Sequence, residues 1–287
     1  MLGILSFLFF ILGTAIGSFL NVVAYRSVHG DPKRPDLKKS PRSGLKKLDS
    51  ILFGKSACPH CKKKLKPLDL IPIVSYLLLE GRCRACHKKI SLQYPLIEAA
   101  TGLLFAFTFY YWSANIFNNL HLTSYILHLV YLLFVVCVLI VLFTTDIVDG
   151  LLPNSIVLPA IVVVAFYKLI LLTFGSVSVS SLSWDIIAAL LTTAVFFAIV
   201  YFSGERALGG GDVKFVFFIA LAVGWPAVLV SLFSGFLTGG LVAVMLILLG
   251  KKRFGQTVPL GPFLAIGAAI ALFWGQQIID LYLRAIR

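Results

Sequence analysis

The sequence predicts an all-α polytopic membrane protein of about eight transmembrane helices, with a small zinc-binding module between the first and second. Three observations carry that expectation. Hydrophobic residues make up 59% of the 287-residue chain and charged residues only 13%, against about a quarter charged in soluble domains. Eight separate stretches are apolar, most of them over the roughly 20 residues a helix needs to cross a bilayer. The net charge of +13 is uneven, because most Lys and Arg lie between Arg26 and Lys89.

The apolar stretches run near 3–23, 92–113, 124–145, 153–174, 185–203, 212–224, 227–249 and 260–283. No basic segment precedes the first. Positive charge follows it instead, so it reads as a retained span with its N-terminus outside. The sixth is short, and either tilts or continues past Pro226. An even number of spans places both termini on one side and the loops at 26–90, 146–152, 204–211 and 250–258 on the cytoplasmic side. Lys251, Lys252 and Arg253 agree, while 113–123 and 175–183 carry no Lys or Arg, the pattern of the positive-inside rule.

The organisation expected is therefore a first transmembrane helix (1–25), a cytoplasmic module (26–90) and a transmembrane bundle (91–287). Positions 31–49, rich in Lys, Pro and Ser, read as a mobile linker. A basic run also suits nucleic acid, but this one lies between two spans and holds few aromatics to stack bases. Lipid is the expected partner, and nucleic acid is not. No long internal repeat stands out.

Cys58-Pro-His-Cys61 and Cys83-Arg-Ala-Cys86 are two CxxC pairs about 20 residues apart. Two such knuckles can aim four thiolates at one ion in the tetrahedral arrangement zinc prefers. A cytoplasmic location disfavours disulfides. So small a polar module has little core, so metal binding would supply folding energy. Four thiolates leave no open position for substrate, so the site reads as structural zinc, with redox chemistry or iron–sulfur binding as the alternatives. His60 and His87 are read as bystanders, and Cys137 as a packing residue inside a span.

Ionisable groups in or beside spans are functional by default. Asp146 follows the apolar run 125–145, and Asp212 closes Gly209-Gly210-Gly211-Asp212 at the start of another span. The topology puts both carboxylates at the cytoplasmic membrane face. Two carboxylates at one site share a single proton. The ionised member can take a proton from water while the protonated one polarises a scissile carbonyl, so two such carboxylates can run peptide hydrolysis without a metal. The glycines let backbone approach a substrate strand. The plainer alternative makes Asp212 a helix cap, and Asp149, beside Gly150, a helix-edge carboxylate. Asn21, at the end of the first span, is a candidate lining of a substrate groove. Glu98, just inside the second span, is either structurally paired or functional. Lys214 lies two residues beyond Asp212, where helical geometry makes the side chains diverge. His121, His128 and Asp280 are read as packing or interface residues.

Taken in order, the motifs resemble those of type IV prepilin leader peptidases, the bifunctional peptidase/N-methyltransferase family of GxGD-type aspartic proteases. Gly17-Ser18-Phe19-Leu20-Asn21-Val22-Val23 is similar to the family's first-span motif, and the CxxC pairs to its cytoplasmic zinc module. Ile71-Pro72-Ile73-Val74-Ser75-Tyr76 and Tyr94-Pro95-Leu96-Ile97-Glu98 resemble its linking segments. Asp146 with Leu152-Pro153-Asn154, Gly209-Gly210-Gly211-Asp212 with Lys214, and Pro259-Leu260-Gly261-Pro262 resemble its later motifs.

The resemblance implies that Asp146 and Asp212 are catalytic. It implies substrates that are type IV prepilins and type II secretion pseudopilins, cut between a basic leader ending in Gly and a helix starting with Phe. Members with the cysteine module commonly N-methylate the new terminus with S-adenosylmethionine, and Gly81, Arg82 and Glu98 are the residues expected around that donor. The bacterial inner membrane is the implied location. Arg82 stands where the family often has Lys, and Asn154 where Asp is common. Two alternatives stay open: a peptidase whose zinc module is only structural, and a zinc-bearing scaffold without catalysis.

Overall fold

A computed structural model describes residues 2–30, 57–58, 60–61, 63–116, 122–175, 177–205, 208–251 and 258–286. The linker expected at 31–49 lies outside them, as do His121, Ser176, Lys252 and Arg253. The described helices are α1 (Leu2–His29), α2 (Val74–Leu78), α3 (Gln93–Ile116), α4 (Leu122–Asp149), α5 (Asn154–Thr173), α6 (Val179–Ser203), α7 (Gly210–Val223), α8 (Ala227–Leu248) and α9 (Gly261–Ile286), with a 3-10 turn at Pro67–Leu70.

The long helices coincide with the apolar stretches, and six are long and apolar enough to cross a membrane. In α3, Glu98 and several Tyr, Trp and Thr residues hold the hydropathy down. With its 14 residues, α7 rises only about 21 Å. Two boundaries differ from expectation. α1 continues to His29, so Asn21 lies inside it rather than at its end. α6 starts at Val179 rather than near 185. Ser178 Oγ accepts the Ser181 N–H at 3.1 Å, so the polar serines begin a helix instead of a loop.

The chain forms two compact units, Met1–Val141 and Leu142–Arg287. In the first, α1 packs along α3 through small residues, the usual way for membrane helices to approach closely. A Cβ on Gly13 would lie 2.8 Å from Gly102 Cα. Farther along, Ser113 and Tyr125 share a hydroxyl hydrogen bond of 2.6 Å, and Trp112 stacks on His128 at 4.3 Å. The turn before α2 is a γ-turn: Pro72 C=O accepts the Val74 N–H, with Ile73 at φ 60° and ψ −51°. This geometry is strained for a β-branched residue.

In the second unit, α7 is apolar all round beyond Lys214 and sits among α5, α6, α8 and α9. Phe215, Val216, Phe218, Ile219 and Ala220 are fully buried. Its far end breaks at Gly224, φ 78°. There the Trp225 N–H donates to Asp185 Oδ1 at 2.7 Å, and Lys168 of α5 pairs with the same carboxylate. Backbone released at membrane depth must find a protein partner, and Asp185 of α6 supplies it.

Candidate aspartate site and cysteine cluster

Asp146 stands in the last turn of α4 and is 7% exposed. Its Oδ2 accepts the Gly261 N–H at 3.0 Å. That amide belongs to the first residue of α9, where N–H groups have no partner inside the helix. A Cβ at 261 would lie 2.6 Å from Asp146 Oδ2, so only glycine can present its amide this way.

Asp212 occupies the third position of α7. Its Oδ2 accepts the Gly209 N–H at 3.1 Å, the reach-back half of a capping arrangement. The residue is half-buried, and the charge of Asp146 acts on it electrostatically. The second unit thus brings both sequence-predicted aspartates together, each with one oxygen on a glycine amide. Two carboxylates that feel each other's charge can split general-base and general-acid work between them.

The glycine run has a packing reason. A Cβ on Gly211 would lie 3.1 Å from Leu152 Cβ, so the start of α7 rests against the turn between α4 and α5. Gly209 and Gly210 are exposed. Lys214 Nζ donates to Asn154 Oδ1 at 3.0 Å, a second tie across the same turn. Asp149 ends α4 beside Gly150, which takes φ 63°. Asn21 is 4% exposed and donates from Nδ2 to Tyr94 O at 3.1 Å, which places it in the α1–α3 seam.

The sulfurs of Cys58, Cys61, Cys83 and Cys86 lie within 4.8 Å of one another, and those of Cys58 and Cys86 are 3.9 Å apart. Tetrahedral zinc with bonds of about 2.3 Å sets its sulfurs about 3.8 Å apart, so the residues fit that ion. Both knuckles fold alike. Cys58 N–H donates to Lys63 O at 3.0 Å and Cys83 N–H to Lys88 O at 2.9 Å. Ala57 bridges to Lys64, and Arg82 to Lys89. The segments ACPHCKKKL and RCRACHKKI are therefore a short structural repeat, which a search for long repeats passes over. Backbone N–H groups of Cys86 and Ala85 pull the Cys83 thiol down to about 7, whereas burial pushes Cys58 up to about 11. His60 and His87 are exposed beside the cluster.

Gly81, Arg82 and Glu98 are linked through α2. Glu98 Oε2 accepts the Ile73 N–H at 2.7 Å, and its carboxylate also bonds Ser18. Gly81, φ 66°, fits under Tyr76, whose Oη a Cβ would meet at 2.8 Å. Arg82 is exposed. Sequence reasoning missed Asp185 and Lys168, although an ionisable residue inside each of two spans was a visible signal. It also missed the role of Gly261, for which only the Pro-Leu-Gly-Pro turn gave a hint.

Known proteins are similar to this chain in sequence. The profile described as Bacterial Peptidase A24 N-terminal domain matches residues 11–112. That of the Type IV leader peptidase family matches 132–244, a range containing both aspartates. No solved structure matches the chain. The prepilin leader peptidase/N-methyltransferase of Pseudomonas aeruginosa is 31% identical over 292 residues, covering 96% of this chain and 92% of that protein. The protein of the same name from Stutzerimonas stutzeri is 28% identical, covering 96% and 93%. That from Legionella pneumophila is 27% identical, covering 94% and 91%. With both profiles in chain order and relatives matched nearly end to end, the chain belongs to the type IV leader peptidase family.

Proposed function

We propose that the protein is a membrane aspartic endopeptidase that removes the basic leader from type IV prepilins and type II secretion pseudopilins at a Gly–Phe junction. It then N-methylates the new terminus. The observation that carries the peptidase reading is the pair Asp146 and Asp212, in electrostatic reach of each other and each braced by a glycine amide. One carboxylate draws a proton from the attacking water. The other, protonated, donates its proton to the scissile carbonyl oxygen; as the C–N bond breaks, the first passes its new proton to the leaving amine and the second takes one back from the gem-diol hydroxyl. The pair titrates as a unit. Exposed Gly209 and Gly210 offer bare backbone to an extended scissile segment, and Lys214 holds the neighbouring turn through Asn154.

The enzyme is placed in the bacterial inner membrane, with the cysteine module and the aspartates on the cytoplasmic side. The charge asymmetry of the loops supports that orientation. The substrate's leader, being basic, stays there too. Zinc would be held by Cys58, Cys61, Cys83 and Cys86, a closed set that stabilises the module. Methyl transfer is assigned to the first unit, near Gly81, Arg82 and Glu98. S-adenosylmethionine would supply an electrophilic methyl group, and the buried carboxylate of Glu98 complements its positive charge.

Mass spectrometry of a prepilin co-expressed with the enzyme tests the reading in one measurement. The wild type should yield a mature chain one methyl heavier than simple cleavage gives. Asp146→Asn and Asp212→Asn should each leave the precursor intact while the enzyme still inserts. Near-normal processing by either variant overturns the assignment, and cleaved but unmethylated product overturns the methyl-transfer half.

A further inference from the structure

The segment that carries the 3-10 turn and α2 has its amphipathicity reversed. Leu68 is 66% exposed, Leu77 69% and Leu78 78%, as if the apolar side faced away from the module. The inward side is already committed. Glu98 holds the Ile73 amide, and Tyr76 lies over Gly81. Rotating α2 to bury its leucines would break both ties. Leu92, just before α3, and Leu96, in its first turn, are also 65% exposed, at the start of a helix whose sequence reads as a span. Around these leucines the module is strongly basic. Eight Lys and Arg stand between Ala57 and Leu92 against two acids, Asp69 and Glu80, and Asp69 is paired with Arg84 at 2.8 Å.

We infer that residues 67–79 form a membrane-interface anchor that lays the zinc module flat on an anionic lipid surface. The leucines enter the boundary between headgroups and acyl chains, and the surrounding Lys and Arg meet lipid phosphates. The Glu98–Ile73 bond ties the segment to the start of α3, which puts it at headgroup level. Its charge favours anionic lipid over a second, equally basic copy of the chain.

Site-directed spin labelling of the full-length, zinc-loaded protein tests this, in a Cys137→Ala background with the four zinc cysteines intact. Labels go on Leu78→Cys and, as the water-facing reference, Lys63→Cys. The nanodiscs contain phosphatidylcholine alone or with phosphatidylglycerol. The label at 78 should be more accessible to oxygen than to a water-soluble nickel chelate, at a depth of about 5–10 Å, and the label at 63 should show the reverse. Phosphatidylglycerol should deepen the label at 78, and Lys88→Gln with Lys89→Gln should remove that increment. Nickel accessibility at 78 equal to that at 63 overturns the proposal. So does shielding from both reagents, which would put protein on the patch. Depth that ignores phosphatidylglycerol overturns its electrostatic half.

Discussion

Gly261→Ala separates the amide that braces Asp146 from the aspartate itself. The added methyl would lie 2.6 Å from Asp146 Oδ2, whereas ordinary contact begins at 3.4 Å. Carboxylate or helix start must therefore retreat by about 0.8 Å, which lengthens the 3.0 Å hydrogen bond beyond useful range. A hydrogen bond to a charged group contributes about 1.5–3 kcal/mol, and each 1.36 kcal/mol is a factor of ten in rate. The turnover number should fall about 10- to 100-fold, with KM changed less than about threefold, because the bond orients a reacting group and not the substrate. Cleavage of a peptide with a basic leader and a Gly–Phe junction, followed by mass spectrometry on detergent-purified enzyme, gives both constants. Gly240→Ala is the matched control, since a Cβ there meets nothing within 4 Å. A Gly261→Ala enzyme within about twofold of wild type would refute the bracing role.

Asp146→Asn and Asp212→Asn should each cost at least about 10²–10⁴ in rate, the range for losing a positioned proton carrier, in the same peptide assay. Elemental analysis should find about one zinc per chain, set by four ligands, and Cys58→Ser or Cys83→Ser should lower that content while impairing methylation more than cleavage. Asp185→Ala leaves Lys168 unpaired and the Trp225 amide without its acceptor, so thermal unfolding in detergent should show a loss of about 3–5 kcal/mol. The double change Asp185→Asn with Lys168→Met keeps the acceptor without an orphan charge and should recover most of it. Lys214→Gln should lower turnover less than about threefold, because its partner Asn154 is neutral and the contact is exposed.

The long helices were legible because lipid demands long apolar runs, and such runs show in sequence whatever their neighbours do. Their ends were less so. Ser178 and its neighbours look like a loop until a capping hydrogen bond shows they are helix. Asp146 and Asp212 were readable as charges at span edges. What braces them was not, since the Gly261 amide comes from 115 positions away. The pairing of Lys168 with Asp185 likewise needs two helices side by side. The four-cysteine cluster was plain from spacing alone, because the knuckle is a local structure. The turn at Ile73 was hidden, because a β-branched residue gives no sign of a positive φ until Glu98 is seen holding its amide.

The shortness of α7 has a consequence for water. A central helix of about 21 Å in a hydrocarbon slab of about 30 Å is mismatched by roughly a third of the slab's thickness. Longer helices surround α7, so its ends stop inside the protein and not against lipid, and water can reach down to the level where α7 begins. That recess delivers the reactant a hydrolase consumes. Turnover should then follow the depth of the recess within the helices and be insensitive to acyl-chain length.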